Sequence, residues 1–123
     1  YIYGYMYNTL LTIDDARPIF RHGLTSDMVM LFSRLNHTGK LSGAKQPGVD
    51  AQVIFHNLEM VNDELLDYAT HIELFRCNFL PKKLGSSDFY KVVKECKLHL
   101  DKLPPYHRYE IEIETLNAKL FKP

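Results

Sequence analysis

Residues 109–114 read Tyr-Glu-Ile-Glu-Ile-Glu, an unbroken alternation of apolar and acidic side chains. Successive side chains of a strand point to opposite faces of the sheet, so this period of two predicts a half-buried strand. The β-branched isoleucines favour the same structure. We expect residues 116–121 to extend the strand or to form a last short turn.

A second strand pattern stands at the amino-terminal end. Residues 1–7 read Tyr-Ile-Tyr-Gly-Tyr-Met-Tyr, so four tyrosines at alternate positions share one predicted face. The four are Tyr1, Tyr3, Tyr5 and Tyr7. Chain termini often meet at the surface of a compact domain, so we expect the two end segments to form one small sheet.

Helical patterns fill the middle of the chain. Thr25 or Ser26 is a candidate N-cap for a first helix that ends near Gly39. Residues 50–76 keep an apolar stripe at helical spacing, which predicts a second, long helix with a break near Asn62 or after Ala69.

A third helix is predicted between the capping cluster at residues 85–88 and the double proline at 104–105. The fold class expected from the whole chain is α+β, with a mainly helical core of about three helices and a small sheet formed by the N- and C-terminal segments. We expect residues 1–123 to be a single globular domain, with the alternative that they are a fragment of a larger protein. The predicted core residues are Phe55, Leu58, Leu65, Phe89, Val92 and Cys96.

The composition excludes several classes of protein. Of the 123 residues 46% are hydrophobic and 24% charged, and the 15 basic side chains balance the 15 acidic ones. This is too hydrophobic for a disordered tail, and zero net charge argues against a polybasic membrane-binding protein. No apolar run has the length of a membrane-spanning helix, so we expect no membrane partner.

The two cysteines, Cys77 and Cys96, are expected to be free thiols, which indicates an intracellular location in the cytoplasm or nucleus. An alternative is a zinc site built from His71, Cys77, Cys96 and His99, although their spacing matches no standard zinc pattern. We therefore expect no bound metal and no cofactor.

Acidic and imidazole side chains also recur along the second predicted helix. The members of this stripe are His56, Glu59, Asp63, Asp67 and His71. In a continuous helix they would share one face and could bind a divalent metal. A charged strip opposite an apolar one is also the ordinary solvated face of a helix, and this interpretation is preferred.

The favoured function is non-catalytic protein–protein interaction, as a dimerisation, scaffold or adaptor domain. The aromatic strand with Tyr1, Tyr3, Tyr5 and Tyr7 and a helix face would bind the partner, because tyrosine and methionine are enriched where proteins meet.

The first alternative is binding of RNA or single-stranded DNA. The tyrosines would stack on bases, and the nearby cations Arg17, Arg21, Lys82 and Lys83 would bind phosphates. The balanced net charge of the chain weighs against this function.

The second alternative is a metal-dependent nuclease. Asp14 and Asp15 follow an apolar patch at residues 10–13 and would bind a metal together with Glu110 or Glu112 if the two ends of the chain pair. The sequence contains neither a nucleophile elbow nor a phosphate-binding glycine loop, so catalysis is not the expected function.

Overall fold

The computed structural model describes residues 9–14, 23–33 and 49–123. The chain folds into two compact units, residues 1–56 and residues 57–123.

The first unit contains a parallel pair of strands and one helix. Strand β1 spans Thr9–Ile13, helix α1 spans Ser26–Ser33 and strand β2 spans Val49–Val53. Residue Thr25 begins the helix as predicted, since its Oγ1 accepts a hydrogen bond from the Met28 amide at 3.3 Å. Strand β1 pairs with β2 in a parallel register that sets Thr9 beside Val49 and Ile13 beside Val53.

The second unit is a three-stranded antiparallel sheet with one long helix. Its elements in chain order are a 3₁₀ turn at Leu58–Met60, helix α2 at Asp63–Leu66, strand β3 at His71–Phe75, helix α3 at Ser87–Leu100, strand β4 at Arg108–Glu112 and strand β5 at Ala118–Phe121. The strand order is β3-β4-β5, and α3 contacts both β3 and β4.

Helix α3 supplies half of the buried core cluster of the second unit. Its N-cap is Ser86, whose Oγ accepts a hydrogen bond from the Phe89 amide at 3.1 Å. Residues Phe89, Val93 and Leu100 repeat at helical spacing and are 3%, 0% and 1% exposed. They pack with Ile111 of β4, which is fully buried.

The two faces of the antiparallel sheet differ in chemistry. The inner face packs against the core with Leu74, Tyr109 and Leu120, which are cross-strand neighbours. Because side chains alternate along each strand, the neighbouring row of Phe75, Arg108 and Phe121 belongs to the outer face.

The α+β class is confirmed, and so are the third predicted helix, as α3, and a strand that overlaps residues 109–114, as β4. The expected pairing of the two ends is not seen in the described residues, because β1 pairs with β2 while β4 pairs with β3 and β5. The tyrosine segment at residues 1–7 lies outside the described residues.

The long helix predicted over residues 50–76 does not form, although the break expected near Asn62 is present, since α2 begins there with Asn62 as its N-cap. Two asparagines interrupt it, since the Asn57 side chain accepts from the Glu59 amide at 3.3 Å and the Asn62 side chain accepts from the Glu64 amide at 2.9 Å. Each bond starts a new short helical turn, because asparagine competes for nearby backbone groups. The apolar spacing that resembled one helix is shared among β2, two short turns and β3.

Four of the six predicted core residues are buried, and the other two are half-buried. The buried residues are Leu58, Leu65, Phe89 and Cys96, and the half-buried ones are Phe55 and Val92. Both cysteines are free. Within the described ranges, none of the helices combines the length and the apolar character required to cross a bilayer.

Candidate functional site

The carboxyl ends of β1 and β2 lie at one edge of the parallel pair. Their register ends with Ile13 beside Val53, and the ladder continues with a hydrogen bond of 2.9 Å from the Ile54 amide to the Ile13 carbonyl. Asp14 follows β1 directly and is exposed. This edge therefore presents a carboxylate where the backbone leaves the sheet.

The connection from β1 to β2 contains helix α1. Parallel strands cannot be joined by a tight hairpin and need a crossover, which is usually a helix. The order β1, α1, β2 with parallel pairing is such a β-α-β arrangement. In open α/β sheets, ligands bind at the carboxyl ends of the strands, so the edge next to Asp14 is the candidate site.

The donor chemistry of this edge suits a hard cation. Magnesium is bound through one or two carboxylates together with waters and substrate phosphates, and it does not need an enclosed protein cage. An exposed Asp14 carboxylate fits this requirement. Its sequence neighbour Asp15 lies outside the described residues.

The residues predicted for partner and nucleic-acid binding are only partly described. The four tyrosines, Arg17 and Arg21 lie outside the described residues. The remaining two, Lys82 and Lys83, are exposed in the connection between β3 and α3.

The metal-binding patterns proposed from the sequence do not form. The described part of the chain contains no group of three or more His, Cys, Asp or Glu side chains that could hold a metal ion. Two of the zinc candidates have other contacts, since His99 hydrogen-bonds the Tyr109 hydroxyl and His71 lies 3.8 Å from the Glu110 carboxylate. Burial raises the pKa of the Cys96 thiol, assisted by the nearby charge of Glu95.

The acidic stripe does not form one helix face, because the long helix on which it was predicted does not form. Glu59 lies in the 3₁₀ turn, Asp63 in α2 and His71 in β3, so they share no helix face. The nuclease hypothesis stays untested, although the pairing of β1 with the strand that carries Glu110 and Glu112 is not seen in the described residues.

A pocket of about 400 Å³ lies in the second unit, at the amino-terminal end of α3. Its lining includes Asp63, Glu64 and Asp67, and the Asp63 carboxylate accepts a hydrogen bond from the Gly85 amide at 3.1 Å. Three carboxylates would repel an anionic ligand, so this pocket does not suit a phosphate.

Solved structures share this fold. The chain is similar to the genome packaging NTPase B204 from Sulfolobus turreted icosahedral virus 2 in complex with ATP-gammaS, with 15% sequence identity and a TM-score of 0.60 over 93% of the chain. The same protein in complex with AMPPCP gives the same identity, TM-score and coverage. The chain spans 52% and 51% of these structures, about half their length. No protein-family model and no curated protein matches the sequence.

The sequence indicates Asp14 and Asp15 as acidic residues after a strand, but it does not indicate that this strand pairs with residues 49–53. Strand β2 pairs with β1, and most of its residues belong to the segment for which a long helix was predicted. A usable signal was the alternation within Val49–Val53, where Ala51 and Val53 are half-buried and Gln52 is exposed.

Proposed function

We propose that this chain contributes the carboxylates of a site that hydrolyses nucleoside triphosphates. The observation that carries the proposal is the position of Asp14, directly after β1 at the carboxyl edge of a parallel pair. The fold is shared with an NTPase that was solved with ATP-gammaS and AMPPCP. In phosphate-loop NTPases an aspartate helps to hold the magnesium ion of the nucleotide.

The two adjacent aspartates would have different roles. Asp14 would hold the magnesium ion that accompanies the nucleotide, and the ion would offset the negative charge of the phosphates. Asp15 would orient the attacking water and accept its proton, because a carboxylate next to the reacting phosphate can act as a general base.

The phosphate-binding loop is the missing part of this site. The 123 residues contain no Gly-x-x-x-x-Gly-Lys-Ser/Thr stretch. We place the loop in polypeptide that corresponds to the half of the neighbouring structures that this chain does not match. The complete site would then join a loop that binds phosphates with an edge that binds the metal.

The test is magnesium-dependent release of phosphate from ATP by the complete natural polypeptide. We expect Asp14→Asn and Asp15→Asn each to lower the rate by at least about a hundredfold, since each removes a charge that acts at the reacting phosphate. Asp88→Asn is the matched control, because Asp88 is an exposed acidic residue in the first turn of α3. Normal hydrolysis by both site variants would contradict the proposal.

Protein–protein interaction remains a second candidate function for the first unit. The favouring observation is exposed apolar surface, since Leu10 of β1 is 63% exposed and Met30 of α1 is 42% exposed. A partner that covers these residues and the tyrosine segment would bury them, and aromatic residues at the centre of such a surface contribute most of the binding energy.

This second candidate predicts that Tyr3→Ala combined with Tyr5→Ala abolishes self-association or partner capture. The helical circular dichroism should persist, because α3 packs in a core that includes Phe89, Val93 and Leu100. Light scattering and circular dichroism measure the two effects separately. Unfolding of the double variant would instead place the tyrosines in a core.

A further inference from the structure

The outer face of the β3–β4–β5 sheet ends in a row of alternating aromatic and cationic side chains. Phe75, Arg108 and Phe121 are direct neighbours across the three strands. Phe75 is 51% exposed, and Arg108 and Phe121 are half-buried. The three side chains, here called the aromatic row, lie side by side on the sheet face opposite to α3.

Cations surround the Phe121 ring. The Arg108 guanidinium carbon lies 4.7 Å from the ring centroid, and the Lys119 ammonium lies 5.1 Å from it. Both distances are within the range of cation–π attraction. A guanidinium stacked on a ring is itself a planar surface on which a base can stack.

Both cationic and acidic side chains lie beside the aromatic row. The next row along the outer face consists of Glu73, Glu110 and Lys119. The Glu73 Oε1 lies 3.9 Å from the Arg108 Nε. Lys122 follows β5 directly and is exposed, whereas Arg76, which follows β3, donates a hydrogen bond of 2.9 Å to the Asp101 carbonyl at the end of α3.

An exposed tyrosine that shortly precedes strand β4 in the chain has a strained backbone conformation. Tyr106 has φ of 73° and is 78% exposed, two residues before Arg108. The turn that holds it is closed by a 2.9 Å hydrogen bond between His107 Nδ1 and the Pro104 carbonyl. A bulky residue in the left-handed region is uncommon, and such strain concentrates at functional sites.

We propose that the aromatic row, together with Tyr106, binds single-stranded nucleic acid. Bases would stack on Phe75, on Tyr106 and on the Arg108–Phe121 pair, while Lys119 and Lys122 bind the phosphates. Aromatic platforms flanked by cations are the common device of single-strand binding. This activity belongs to the second unit and is independent of the hydrolysis proposed for the first.

Two other occupants fit the row less well. A duplex keeps its base faces stacked inside the helix, so exposed rings would have nothing to stack on. A second copy that docked by the same surface about a two-fold axis through the row would set Arg108 against Arg108, which is unfavourable between like charges.

The experiment measures binding of a fluorescein-labelled oligothymidine to the 123-residue chain by anisotropy at several salt concentrations. Phe75→Ala should weaken binding by about tenfold and leave the salt dependence unchanged, because it removes stacking only. Lys122→Ala should weaken binding and reduce the slope of log K against log salt by about 0.7, the value for one phosphate contact on a single strand.

The variant Tyr106→Gly tests whether binding can be weakened without a loss of thermal stability. Glycine adopts positive φ without strain, so this variant should melt at the same or a higher temperature than the wild type and still bind more weakly. Two matched controls lie on the solvent side of α3. They are Leu98→Ala, at a site that is 50% exposed, and Lys94→Ala, at an exposed cation. Both should bind oligothymidine as the wild type does.

Several results would overturn the proposal. One is the absence of oligothymidine binding by the wild-type chain, and another is an equal loss of affinity in the α3 controls. A duplex that binds as tightly as the single strand and is unaffected by Phe75→Ala would assign the surface to electrostatic capture alone. A change of molecular mass in Phe75→Ala by light scattering would assign it to self-association.

Discussion

The parallel pair β1–β2 and the antiparallel sheet β3–β4–β5 bury their apolar side chains to different extents. In the second unit Val93 and Ile111 are fully buried between α3 and the sheet. In the described part of the first unit, Phe32 at 7% exposure is the buried hydrophobic residue, while Leu10 on β1 is 63% exposed. Sheets of parallel strands normally have both faces covered, whereas the described residues of the first unit leave Leu10 of β1 exposed.

The second unit contains most of the buried core, and the first unit contains the proposed hydrolysis site. The second unit closes its sheet with nearby antiparallel pairings and covers one face with its own helix. The first unit places an aspartate at an exposed strand end, where a carboxylate can reach a ligand. Binding residues are commonly carried by segments that leave a rigid scaffold, and the proposed hydrolysis site follows this arrangement.

The largest expected effect tests where the stability resides. Phe89→Ala should lower the free energy of unfolding by about 3–5 kcal/mol, because it empties a site that is 3% exposed in the core of the second unit. Leu10→Ala should change it by less than about 0.5 kcal/mol, as expected for an exposed side chain. Urea denaturation followed by circular dichroism measures both. Equal losses would show that the first unit depends on a core of its own.

A smaller effect is expected from pH. Burial raises the pKa of the Cys96 thiol, with a contribution from Glu95, and burial also raises that of Cys77 against the lowering effect of Lys97. A raised pKa means that the folded state holds the proton more tightly than the unfolded state does. The thiol contribution is therefore complete below the ordinary value of 9.0 and is lost as pH rises through the folded pKa.

The corresponding measurement is the urea midpoint at increasing pH above 9, relative to a variant with Cys77→Ala and Cys96→Ala. The wild-type midpoint should fall more steeply than that of the variant, which lacks both thiols. Identical slopes would show that other groups dominate the alkaline loss of stability. Tyr109 is the first such group to test, because burial also raises its pKa.

Helix α3 and strand β4 illustrate what a local pattern can predict. Each has one clear period, a capping or breaking signal at its ends and one packed face. Residues 50–76 illustrate the opposite case, because short apolar runs fit a helix and a strand equally well. There the contacts of Asn57 and Asn62 with the backbone decided the outcome.

The candidate sites depend on the pairing of strands that are distant in sequence. Asp14 and Asp15 were visible as acidic residues after an apolar patch, but their significance depends on β2, which joins Val49 to Thr9 across a long connection. The aromatic row was not visible at all, since Phe75, Arg108 and Phe121 become neighbours only when three strands align in one register.

The sequence by itself determined the α+β class, the third helix, the alternating strand at its carboxyl-terminal side and the burial of Leu58, Leu65, Phe89 and Cys96. These follow from side-chain periodicity and capping, which act over a few neighbouring residues. Only the tertiary structure decided that β1 and β2 run parallel and that the outer sheet face carries the aromatic row. Both depend on hydrogen bonds between strands distant in sequence, whose register is set by burial of the whole sheet.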